Sequence, residues 1–180
     1  MKLKYRLNIT NSTKRRICFA ALLLVLSVVQ NIEGFFPSIF GIRALFLVPA
    51  VVCVAMQERD VYGMFLGLFA GALWDISADG GSFNAIFLTI VGFACGALIN
   101  SIMRNNVVTA GLLSGIALTA HTLVYWLINC VFDGYDKLFF ILMRYYVPGI
   151  VYSIVFTPVL FMLVRKICAA FDSGKNVNLQ

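Results

Sequence analysis

Six apolar runs, separated only by short polar knots, leave this chain few ways to fold in water. They cover Ile17 to about Val29, Ile39 to Met56, Val61 to Ile76, Phe83 to Met103, Val107 to Phe132 and Tyr145 to Val164. A run of about 17–25 apolar residues is long enough to cross the hydrocarbon core of a bilayer as a helix. Composition points the same way: 61% of residues are hydrophobic and 12% charged, against roughly 45–50% and about 25% in soluble domains. So few charges cannot cover that much apolar surface. The expected fold is an all-α integral membrane protein, a compact bundle of six transmembrane helices. A basic N-tail (1–16) precedes the membrane domain (17–166), and a short C-tail (167–180) follows. No room is left in these 180 residues for a separate soluble domain.

The cations orient such a bundle. Lys2, Lys4, Arg6, Lys14, Arg15 and Arg16 precede the first run with no acid among them. That run ends Val28-Val29-Gln30-Asn31-Ile32-Glu33, without the small-residue cleavage pattern of a secretory signal, so it reads as an uncleaved span. With six spans and both termini in the cytoplasm, 11 of the 14 Lys and Arg lie inside; Arg43, Lys137 and Arg144 lie outside. Cytoplasmic loops are expected to hold that excess. The net charge of +6 is then explained by topology and anionic lipid, and requires no nucleic acid.

Within the runs, Arg43 is expected to snorkel to the interface and Pro49 to kink the second span or free a carbonyl. Gln57-Glu58-Arg59-Asp60, Asp79-Gly80-Gly81-Ser82 and Asp133-Gly134-Tyr135-Asp136-Lys137 read as turns or loops. Cys18, Cys53, Cys95, Cys130 and Cys168 are widely spaced, without a disulfide or zinc pattern, and read as small packing residues. No metal or cofactor is expected.

The most informative pattern is Gly63-x-x-x-Gly67-x-x-x-Gly71-x-x-x-Asp75. A step of four residues advances about 400° around a helix, so these positions form one ridge. A glycine ridge lets a second helix approach closely, which is how helices associate in lipid. The ridge is expected to seat a helix of the bundle or of a partner protein. Asp75, at its external end, either is solvated or pairs with Arg43 or Arg144. Gly92-x-x-x-Gly96, followed by Asn100, and Gly111-x-x-x-Gly115 repeat the device in the next two runs.

His121 is the single histidine and falls near the middle of the fifth run, on one face with Ser114 and Tyr125. The expected role of this buried polar site is a neutral histidine hydrogen-bonded to a neighbouring helix; a ligand site or proton relay is the alternative. His-Glu-x-x-His, Walker A and Gly-x-Ser-x-Gly patterns are absent from the sequence, and a non-enzymatic role is expected.

The stretch from Gly63 to Gly96 resembles MreD, the bacterial rod shape-determining membrane protein. It has the Gly-x-x-x-Gly-x-x-x-Asp ridge and a short glycine-containing loop, then Phe83-Asn84-Ala85 opening a helix that reaches Val91-Gly92-Phe93. The basic N-tail, the early proline of the second run and the entry Arg144-Tyr145-Tyr146-Val147-Pro148 to the last run agree in layout. The charged loop from Asp133 to Lys137 has no counterpart in that pattern.

The resemblance implies a scaffold or adaptor in cell-wall elongation that maintains rod shape. Its partners would be an MreC-like bitopic membrane protein and peptidoglycan elongation enzymes, with an MreB-type cytoskeleton reached indirectly, in the bacterial cytoplasmic membrane. It maps onto Gly67, Gly71, Asp75, Asn84, Ala85 and Pro148, none of them catalytic. A second reading is the substrate-binding subunit of an energy-coupling-factor vitamin transporter, also a six-span protein. The Ala-x-x-x-Ala docking motif of such a subunit is missing between Cys18 and Leu26.

Overall fold

The computed structural model describes residues 2–32, 45–58, 60–77, 83–128 and 147–172, with side chains from residue 11 to residue 171. Among these the fold is all-helical: α1 (Lys2–Asn31), α2 (Leu47–Ala55), α3 (Asp60–Ser77), α4 (Asn84–Ser101), α5 (Val107–Trp126) and α6 (Val147–Asp172). Three of them, α4, α5 and α6, are long and apolar enough to cross a membrane.

That corrects the expectation of six such helices, and the reasons are local. In α1 the helix begins at Lys2 and runs straight through the basic segment, so only Ile17 to Val29 is uninterrupted apolar chain. The described part of α2 has nine residues, roughly 14 Å of helix at 1.5 Å per residue. An aspartate near each end and three glycines dilute the apolar character of α3. The outer surfaces of the three long helices nonetheless fit a bilayer. Ile86 and Ile90 on α4, Val108 and Ile116 on α5, and Val155 and Val159 on α6 are all at least 60% exposed, an apolar surface that marks membrane or partner contact.

At the centre lies α2. Every residue from Leu47 to Ala55 is buried, and the helix packs against all five others. A helix that is apolar all round belongs inside. Phe19 and Leu23 of α1, Leu88 of α4, Leu118 of α5, and Phe161 and Val164 of α6 complete the core around it.

Burying a helix also buries its unpaired backbone ends, which need partners. The Leu47 N–H donates to Oε1 of Gln30 at 3.0 Å, and the Leu45 N–H donates to Oγ of Ser153 at 2.9 Å. At the other end Nδ2 of Asn105 donates to the Met56 carbonyl at 3.0 Å. Pro49 falls in the first turn of α2, where its missing N–H removes no helical bond. It therefore neither kinks the helix nor frees a carbonyl within it.

Successive helices alternate in direction. Gln30, Leu47, Ser77, Asn84, Trp126 and Val147 lie toward one end of the bundle; Arg15, Glu58, Asp60, Ser101, Val107 and Asp172 lie toward the other. The last helix continues past Arg165 and Lys166 to Asp172, rather than ending at the cations. Arg43, the loop from Asp133 to Lys137, the turn at Asp79 to Ser82, Arg144 and Cys130 lie outside the described residues.

Candidate functional site: a glycine seam closed by two aspartates

The glycine ridge of α3 is filled by α4. A Cβ on Gly63 would stand 2.7 Å from the Gly92 carbonyl oxygen, and one on Gly96 would stand 2.8 Å from Cα of Asp60. A Cβ on Gly67 would collide with the Leu88 carbonyl, one on Gly71 with Ala85, and one on Gly92 with the Gly63 carbonyl. Four residues forward along α3 correspond to four backward along α4, so the two backbones lie antiparallel in register. No side chain larger than hydrogen fits between them. The seam is internal to the bundle, and the ridge on this face has no room for a helix from elsewhere.

Each end of the seam is tied by an aspartate of α3. Oδ1 of Asp75 accepts from the Asn84 N–H at 3.1 Å, and Oδ2 accepts from the Ala85 N–H at 2.8 Å. These are two of the four donors that open α4, whose own preceding residue, Phe83, supplies no side-chain cap. The carboxylate therefore caps the helix that follows its own in the chain, where both the donors and the helix dipole favour negative charge. At the opposite end Asp60 accepts a hydrogen bond from Nδ2 of Asn100.

Asn84 carries the arrangement one helix further. Its side chain is buried, and its Oδ1 lies 2.8 Å from Nε2 of His121 on α5. An amide oxygen only accepts, so Nε2 carries the proton. The imidazole is stacked on Trp74, with ring centroids 5.0 Å apart, and meets the edge of Phe87 at 5.1 Å. Phe83 and Tyr125 stand at 5.7 and 6.4 Å. Of the three polar residues expected to share a face, His121 and Ser114 are buried, whereas Tyr125 is 44% exposed. The Ser114 Oγ is buried without a hydrogen-bond partner among the described residues.

A second polar cluster holds the other end of the bundle. The Glu58 carboxylate, 2% exposed, receives Nε of Arg15 at 2.8 Å and Nε of Arg16 at 3.5 Å. The Arg16 guanidinium also lies over the Tyr62 ring, 3.2 Å from its centroid. The sequence reads these cations as a basic cytoplasmic N-tail, with no partner assigned. The available signal was that they directly adjoin an apolar run and the chain holds few acids for them to meet.

Among the described residues no group of three or more His, Cys, Asp and Glu side chains could hold a metal ion. Cys18, Cys53, Cys95 and Cys168 form no disulfide among the described residues. The chemistry of the site is that of a fastening: carboxylates, an amide and an imidazole bind backbone and each other. Comparison with known proteins finds no matching family model, no similar curated protein and no similar solved structure.

Proposed function

We propose that this protein is an MreD-like scaffold of the bacterial cell-wall elongation machinery, a multi-pass protein of the cytoplasmic membrane that helps hold an MreC-like bitopic partner and peptidoglycan enzymes in register. The observation that carries this reading is the use made of Gly63 to Gly96. The residues behind the resemblance, Gly67, Gly71, Asp75, Asn84 and Ala85, all serve to weld α3 to α4. Such a welded pair is a rigid surface, and rigidity is what a scaffold contributes. In this reading α1 and α3 cross the bilayer and α2 forms part of a further span, as packed members of a six-pass bundle with both termini cytoplasmic. Alternating helix direction and the gathering of Lys14, Arg15, Arg16, Arg104, Arg165 and Lys166 at one end support that orientation.

The test is co-purification from native membranes. The bitopic partner and at least one elongation enzyme are expected with the wild-type chain. Gly67→Leu, which forces the seam open, is expected to reduce their recovery and round the cells while the protein still inserts. Recovery of neither class of partner would overturn the reading. A reporter fused after Gln180 is expected to report the cytoplasm.

A further inference from the structure

The glycine pair of α5 is used differently from the others. A Cβ on Gly111 would meet nothing within 4 Å, and one on Gly115 would meet only Cδ1 of Ile154, at 3.5 Å. These glycines floor an open groove of about 760 Å³, lined by Val108, Leu112, Ile116 and Ile154 among others and almost wholly apolar. It follows α5 from Val108 to Leu123, roughly 22 Å at 1.5 Å per residue. One leaflet of hydrocarbon is roughly 15 Å deep, half the core thickness.

The end of the bundle at which the groove starts carries exposed cations. Arg104 is exposed and lies four residues before Val108. On α6, Arg165 is exposed and stands eleven residues after Ile154, about three turns further along the helix and beyond Pro158. Arg104 lies in the non-helical stretch 103–106 that leads into α5 at Val107. Because the two helices are antiparallel, both arginines reach the same end of the groove. The first turn of α5 adds N–H groups there that Asn106 does not cap. Among the carboxylates whose side chains are described at that end, Glu58 is held by Arg15 and Arg16, and Asp60 by Asn100.

We propose that this groove binds one anionic phospholipid, with an acyl chain along Gly111 and Gly115 and the phosphate between Arg104 and Arg165. The charge at the mouth selects a lipid over a partner helix, which would bring apolar side chains to the arginines and leave their charge unmatched. The proposal rests on the bilayer placement and is independent of the elongation partners.

The test is native mass spectrometry of the full chain released from nanodiscs of equal phosphatidylglycerol and phosphatidylcholine. Wild type is expected to retain phosphatidylglycerol preferentially. Arg104→Gln and Arg165→Gln are each expected to lower that retention about fivefold, equivalent to the roughly 1 kcal/mol of one cation at a membrane surface. Gly111→Leu fills open space, so the chain should keep its unfolding temperature yet lose both lipids. Lys14→Gln, away from the groove, should retain lipid as wild type does. Equal retention of the two lipids by wild type, or unchanged retention in the arginine double variant, would overturn the proposal. So would a co-purified protein helix protecting Gly111→Cys from thiol labelling in lipid-free detergent.

Discussion

Asn84 and His121 meet side chain to side chain at 2.8 Å, joining α4 to α5 where these two helices otherwise pack sparsely. The same Asn84 gives its backbone N–H to Asp75. One residue thus fastens three helices, through its main chain on one side and its amide on the other. A double-mutant cycle with Asn84→Ala and His121→Ala is expected to give a coupling of about 1 kcal/mol, the scale of interhelical hydrogen bonds in membranes. Unfolding in a denaturing detergent titration measures it, and strictly additive losses would remove the bond from the account.

Capping by Asp75 is expected to contribute about 1–2 kcal/mol, the usual effect of removing a helix N-cap. Asp75→Ala should lose that amount in the same titration. Asp75→Asn, which keeps one acceptor oxygen but no charge, should fall between. If Asn proves as harmful as Ala, the carboxylate acts through charge and not through the two backbone bonds.

Two glycine substitutions should have opposite outcomes. Gly67→Ala drives a methyl into the Leu88 carbonyl and should destabilise by about 1–3 kcal/mol, as overpacking does. Gly111→Ala meets open space and should be neutral or stabilising by up to about 1 kcal/mol, the helix preference of Ala over Gly. Equal effects would show that the α3–α4 contact is looser than described.

At the far end, Glu58→Gln leaves two arginines facing a neutral amide in a buried position. A loss of about 1–2 kcal/mol is expected, below the cost for a fully buried pair because both guanidinium groups retain water. Arg15→Gln should lose less, since Arg16 can still reach the carboxylate. Limited proteolysis provides the second readout: cleavage within 1–16 should accelerate in Glu58→Gln.

What could be read from the sequence was whatever depends on a repeating period. The step of four in Gly63, Gly67 and Gly71 announced a close helix contact, and the apolar runs opening at Val61 and Val107 placed the starts of α3 and α5 to within a residue. What escaped was any fact that joins distant positions. Nothing in the spacing says that Asp75 would cap α4 instead of finding a cation, or that Asn84 and His121, 37 residues apart, would meet. Counting apolar runs overstated how many helices are long and apolar enough to span alone, for a related reason. Apolar residues read alike whether they face lipid or a neighbouring helix, and α2 faces only neighbours.

The buried α2 imposes an order on biogenesis. Its entry is completed by Ser153, about a hundred residues downstream, and its Cys53 lies against the Thr157 carbonyl. During synthesis the early helices emerge long before that partner exists. The Leu45 N–H must therefore wait in a provisional setting, hydrated or held by an insertion factor, until α6 arrives. A ribosome stalled before residue 147 should leave α1 and α2 accessible to thiol reagents at Cys53, and release of the last helix should close that access. The final segment to be made is thus the one that finishes the middle of the molecule.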